Sequence, residues 1–234
     1  KAEPDLDEPM VGIVRQSLQA LVDDSFAWFV DVVAERRALP RPEVLTLADG
    51  MTGMTENVFL NIKNRSKTIT AEVEVPDNGG HGAVLVQGGR FGGWALYVKD
   101  GVPAYDYNFL GLERFTVAAT QKLEPGKSTI KFVFDYDGGG VGKGGVGKLY
   151  VNDKQVAEGR IGRTQPMIFS ADETADVGID LATPVVESIG AEAMSRFTGK
   201  VKKVTVEVAP LKPAAKAEAG AAQQQLADRK ALAD

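Results

Sequence analysis

The chain has 234 residues, 44% of them hydrophobic and 25% charged, with a net charge of −5; that length can bury a core without covalent staples. It contains no cysteine and one histidine, His81, which excludes disulfides, thiolate metal sites, a cysteine nucleophile and any multi-histidine centre. No basic stripe offsets the acidic balance, so nucleic acid is not an expected partner, and no apolar run approaches the ~18–20 residues that cross a bilayer.

The charge and glycine distributions divide the chain. Residues 1–50 carry ten acidic and five basic residues, whereas the remainder carries 22 of each. Glycine runs the other way, with 23 of its 26 copies between residues 51 and 209. Such abrupt changes predict three parts: an acidic helical segment over 1–50, a domain over 51–209 and an Ala-rich tail over 210–234. The chain opens on Lys1 without a signal-peptide pattern, which reads as a fragment or a processed product.

In the first part, Val11, Val14, Leu18, Leu21, Val22, Phe26, Phe29, Val30 and Val33 recur every three or four residues. That spacing predicts an amphipathic helix, with Arg36 and Arg37 suiting its C-terminal end and Pro40 and Pro42 breaking it. Pro42-Glu43 then suits the opening of a second, short helix and Gly50 its cap. From residue 57 the period becomes two. Ile69, Ala71, Val73 and Val75 alternate with Thr70, Glu72 and Glu74, the mark of a strand with one wet face. Short runs follow at 82–87, 93–99, 103–108, 112–118, 127–134, 147–152, 154–158, 174–180 and 200–208. Turn pairs such as Asp100-Gly101, Pro125-Gly126 and Asn152-Asp153 separate several of them. About ten short strands without intervening helices predict an antiparallel sandwich or jelly roll. The tail, rich in Ala, Lys, Glu and Gln, suits a solvated helix or disorder.

Several motifs invite a functional reading. Gly142, Gly144 and Gly147 spell G-x-G-x-x-G, but phosphate loops need a helix behind the glycines. Leu149-Tyr150-Val151 follows instead, so residues 138–148 read as a flexible hairpin loop. Asp135 and Asp137 offer two oxygen ligands to calcium, too few to define a site. Asp172, Glu173, Asp176 and Asp180 form a second acidic stretch of the same kind. His81, in Gly-Gly-His-Gly, reads as an exposed turn residue. Trp94 and Tyr97 suit stacking on sugars or packing in a core. Arg90, among Gly88, Gly89, Gly92 and Gly93, marks a close backbone approach suited to a ligand or a tight turn.

Four strings carry a resemblance: GMTGMTENVFLNIKNRSKTITAEVEVP (50–76), QGGRFGGWALYVKDG (87–101), RTQPMIFSADETADVGIDLATPV (163–185) and FTGKVKKVTVEV (197–208). They resemble the C-terminal region of large bacterial arylsulfatases, downstream of the catalytic α/β domain, over about two-thirds of this chain. GGWALYV and LYVNDK are also similar to laminin-G and concanavalin-like jelly rolls. The resemblance implies a parent enzyme that uses calcium and a formylglycine made from Cys or Ser in a C/S-x-P-x-R motif. This chain has no cysteine, and none of its serines has a proline two residues on. The nucleophile and metal ligands would therefore lie in a missing catalytic domain, and no catalytic residue or cofactor is carried over.

VDDSFAWFVDVVAERRALPRPEVLTLADG (22–50) is similar instead to a helical stretch of signal peptide peptidase and protease IV relatives. Their Ser/Lys dyad is absent here, since Ser17 and Ser25 lie in a plain amphipathic pattern. The two resemblances meet near Asp49-Gly50-Met51, as in a chimera. The leading expectation is a non-catalytic accessory sandwich of an arylsulfatase-like, bacterial polypeptide, cytoplasmic or periplasmic. Its partner would be the missing catalytic domain, and the apolar face that domain leaves exposed predicts weak self-association. One alternative is a carbohydrate-binding jelly roll using Arg90, Trp94 and Tyr97. The other is a remnant of a signal peptide peptidase-like protease.

Overall fold

A computed structural model describes residues 43–210, with Ala221 beyond them. Chain contacts divide the protein into Lys1–Arg41 and Pro42–Asp234, and everything described lies in the second unit. The amphipathic helix predicted between residues 11 and 33 falls outside the described residues, as does nearly all of the tail.

Eleven strands are described, all paired antiparallel in two sheets. One sheet has six strands in the order β1 (Glu43–Leu47), β11 (Lys200–Val208), β2 (Lys67–Val75), β7 (Gly126–Tyr136), β8 (Lys143–Val151) and β9 (Lys154–Arg163). The other has five, ordered β10 (Ala175–Val177), β3 (Gly82–Gly89), β4 (Gly92–Lys99), β5 (Val102–Phe109) and β6 (Glu113–Ala118). Hairpins join β3 through β6 and β7 through β9, and the chain changes sheet between them. This is a mainly β, jelly-roll-like sandwich, and every strand after β1 overlaps one of the short runs read from the sequence.

The core lies between the sheets. β2 sends Ile69, Ala71, Val73 and Val75 inward and leaves Glu72 and Glu74 in water. β7 sends Ile130, Phe132, Phe134 and Tyr136 inward in the same way. Facing them, the five-stranded sheet contributes Trp94, Leu96, Tyr105 and Tyr107. Rings meet across the gap where Tyr105 stacks on Phe132 at 3.6 Å, and within the five-stranded sheet Trp94 lies 6.0 Å from Tyr105 at 18°. Each such side chain contributes about 2–3 kcal/mol through burial, so this aromatic column is a main source of stability.

Two expectations need correction. Residues 43–47 form an edge strand, not a short helix. Leu45 and Leu47 fall opposite Val206 and Val204 of β11, and this alternation wins over the helix-start preference of Pro42-Glu43. The glycine run is also not a flexible loop throughout, because β8 begins at Lys143. A Cβ on Gly145 would lie 2.6 Å from the Phe134 ring, and one on Gly147 would lie 2.8 Å from the Phe132 ring. These glycines let the strand pass beneath core aromatics. They cradle no phosphate.

The five-stranded sheet is covered on its outer face too. Residues 180–196, between β10 and β11, cross it and place Val185, Val186 and Ile189 on Ala83, Val86, Ala95, Tyr97 and Ala104. We call this segment the strap.

Candidate functional site

The three residues suggested for ligand binding do not converge. Trp94 is 0% exposed; its Nε1 donates to Gln87 Oε1 at 3.0 Å, and its ring meets Phe59 at 6.1 Å. It shares the inward face of β4 with Leu96 and Val98, so it serves the core and cannot stack on a sugar. Tyr97 points outward but is buried beneath the strap. Burial and the neighbouring Asp106 push its hydroxyl well above the usual tyrosine range. Arg90 alone is exposed, at the tip of the β3–β4 hairpin.

That tip is rigid. Gly88 holds φ at 85°, and a Cβ there would meet the main chain of Gly92 and Gly93, so the tight reversal needs glycine. Asn108 Nδ2 donates to the carbonyls of Gly89 and Arg90 at 2.9 Å each, while its Oδ1 accepts the Gly111 amide. The Arg90 amide donates to Thr183 Oγ1 of the strap at 3.0 Å. The backbone is thus fixed from both sides, while the Arg90 guanidinium engages no group in the described fold.

Beside Arg90 stands Phe91, 72% exposed and the one aromatic side chain fully in solvent among the described residues. Gly111 of the β5–β6 turn lies against the Arg90–Phe91 main chain, its neighbours Leu110 and Leu112 are exposed, and Met167 and Ile168 add further exposed apolar surface. The last two are brought close by Gln165, whose side chain lies against Gly92 and donates to the Ile168 carbonyl at 3.0 Å. Phe91 was missed in the sequence, although its signal was present. A residue inside a two-residue hairpin turn between Gly89 and Gly92 has no route to the core.

The remaining candidates resolve into separate contacts. Asp135 accepts from Lys148 Nζ at 3.0 Å, and Arg160 holds Asp137, so these acids are paired with cations. His81 sits partly exposed, its Nδ1 3.7 Å from Asp100 Oδ1. Asp172 is exposed, Glu173 accepts from Thr183, and Asp176 accepts from the Gly53 amide at 2.7 Å. Among the described residues, no three acidic or imidazole groups gather as a metal site. The buried ionisable groups include Lys67, which the sequence did not single out, and Asp180 of the acidic stretch. Burial, with a smaller push from the Lys63 charge, lowers the Lys67 ammonium to about 7. Burial raises Asp180 to about 7.

No family model matches the chain, and no curated protein matches it. Solved structures similar to it include the Ruminococcus gnavus IT-sialidase CBM40 bound to α2,3-sialyllactose. That likeness has a TM-score of 0.46 and 14% identity, covering 70% of this chain and 88% of that one. Domains LG4-5 of the mouse laminin α1 chain give 0.41 and 10%, covering 71% and 39%. Sheep galectin-11 in complex with glycerol gives 0.36 and 10%, covering 72% and 99%. The sandwich assignment itself rests on the strand pairing described above. No helix among the described residues is long and apolar enough to cross a membrane.

Proposed function

We propose that the sandwich is a non-catalytic carbohydrate-binding module that takes an acidic glycan at the β3–β4 tip. The observation that carries this reading is the pairing of an unengaged Arg90 guanidinium with the exposed Phe91 ring on a pinned turn. An aromatic face stacks on the C–H surface of a sugar, and a guanidinium grips a carboxylate or sulfate through two parallel hydrogen bonds. Because the turn is already ordered, binding does not have to fix its backbone. The resemblance to arylsulfatase C-terminal regions supports the same anionic class, with the module appended to an enzyme of sulfate esters.

A second reading is favoured by Leu110, Leu112, Met167 and Ile168, whose exposed side chains beside the tip suit docking against a catalytic domain. In that arrangement the sandwich is a structural accessory that shapes the rim of its partner's cleft. The two readings separate in one experiment. Titrating sulfated and sialylated oligosaccharides into the protein should reveal binding that falls at least about tenfold in Arg90→Ala and in Phe91→Ala. Equal binding by all three proteins, or by none, overturns the glycan reading.

A further inference from the structure

The strap is closed on itself through one of its own residues, Asp180. Asp180 Oδ2 accepts the Val185 amide at 2.9 Å, its own amide donates to Ser195 Oγ at 2.8 Å, and its carbonyl accepts the Glu192 amide at 2.6 Å. Both ends of the strap therefore close on Asp180, which is 0% exposed. Its second carboxyl oxygen, Oδ1, is buried without a hydrogen-bond partner. The charged groups that bear on it are Asp176 on β10 and Glu173 just before that strand, both acidic. Glu173 Oε2 is likewise buried and unpartnered. An ionised carboxylate in this position is opposed by burial and by both neighbours.

The underside of the strap repeats the pattern. Asp106 of β5 is buried with an unpartnered Oδ1. Its carboxyl is raised by burial, against hydrogen bonds from Thr116 and Tyr97 and the pull of Arg114, while Glu187 of the strap pushes it further up. Arg114 ties the strap down through the Val185 carbonyl and Glu187. The Ser195 carbonyl also accepts the Ala83 amide of β3 at 2.7 Å, and Thr183 meets the Arg90 amide and Glu173; the rest is apolar contact over Ala83, Ala95 and Ala104.

We propose that the strap is a proton-locked cover on the five-stranded sheet, closed while Asp180 holds its proton and freed as that proton is released. Lifting it would expose Tyr97 and Asp106 and would remove Thr183 from the Arg90 amide. In the closed strap the Asp180 carboxyl titrates near 7, and in an opened, solvated strap it returns to its ordinary 3.8. Below pH 4 both forms are protonated and closure is strongest. Between about 4 and 7 only the closed form keeps the proton, so opening gains about tenfold per pH unit. Above 7 neither form holds it, and the effect levels off.

Amide hydrogen exchange between pH 5 and 8.5, corrected for the intrinsic pH dependence, reads this directly. The protection factors of the Val185, Ile189 and Arg90 amides should fall about tenfold per unit up to pH 7 and then stay flat, while the core amide of Ile130 keeps its protection. Asp180→Asn, which preserves the oxygen that accepts the Val185 amide, should give a flat profile. A flat wild-type profile, or the same slope in Asp180→Asn, overturns the proposal. So does restored protection at pH 8 on adding millimolar calcium chloride, because a cation would then be the missing charge. Should Asp180→Asn not fold, carbon-13 titration of the wild-type carboxyl decides: a midpoint near 7 supports the lock and one near 4 removes it. None of these readouts depends on what the tip binds.

Discussion

The two sheets of this sandwich are built from similar strands but face different surroundings. The six-stranded sheet keeps one dry and one wet face, so β2 alternates between buried valine or isoleucine and exposed glutamate. In the five-stranded sheet β3, β4 and β5 are dry on both faces, buried along nearly their whole length. The difference comes from the strap, which replaces water over Ala83, Val86, Ala95 and Tyr97. A covered outer face brings Asp106 and Asp180 into the dry region, and there proton release becomes coupled to structure. Across the molecule, the outer face of the six-stranded sheet holds its acids in exposed ion pairs such as Glu72 with Lys203. On the outer faces, cover creates the sensitive groups and water removes them.

The most forceful way to break this contrast lies within one hairpin. Trp94→Ala removes a fully buried ring and its bond to Gln87, and should cost ~3–5 kcal/mol in urea unfolding. Phe91→Ala, three residues away and exposed, should change stability by less than about 0.5 kcal/mol. A small loss for Trp94→Ala would mean that the inner face is not the stabilising one.

That hairpin also marks how far the sequence was legible. The alternation in β2, β7 and β11 exposed their inward residues, and turn pairs such as Asp100-Gly101 placed hairpin reversals. Trp94 and Tyr97 are grouped in one candidate site by the sequence, although their spacing of three in a strand puts them on opposite faces of β4. The cover over Tyr97 arrives from Val185, Val186 and Ile189, distant in sequence and without a period to announce them. β1 was hidden for a related reason: Pro42 and Gly50 suit a helix locally, and only the vacant edge of β11 makes Glu43–Leu47 a strand. The glycines of β8 resembled a loop because their purpose, room for Phe132 and Phe134, lies on the neighbouring strand. Of the candidate site, Arg90 was visible through its glycine neighbours, whereas its pinning by Asn108 and Thr183 required the folded chain.

A second test concerns the buried cation of the six-stranded sheet. Lys67 faces inward, its Nζ 4.5 Å from the Phe134 ring centroid, in a position where β2 otherwise carries aliphatic residues. Its amine is held near 7 when folded and near 10.5 when unfolded. Between those values the unfolded chain binds more protons, so this group makes stability rise with pH from 7 to 10.5 and leaves it flat below 7. Lys67→Met should remove that rise and stabilise the protein at pH 6 by on the order of a few kcal/mol. Asp180 contributes the opposite slope, with stability falling from about pH 4 to 7. Together the two groups place a stability minimum near neutrality, and pH-dependent melting of both variants separates them. Loss of stability in Lys67→Met at pH 6 would show that the ammonium has a stabilising role.

The smallest expected effect tests whether the wet face is free in solution. Glu72 and Lys203 are each about half exposed, with Lys203 Nζ 2.6 Å from Glu72 Oε1. Exposed pairs gain little, because water screens the attraction and two long side chains must be held in one geometry. A double-mutant cycle of Glu72→Ala and Lys203→Ala should therefore give a coupling below about 0.5 kcal/mol that fades with added salt. A coupling well above 1 kcal/mol and insensitive to salt would mean that the pair is shielded by another surface. The six-stranded sheet would then be covered on both faces as well, and the strap would no longer distinguish the two halves of the sandwich.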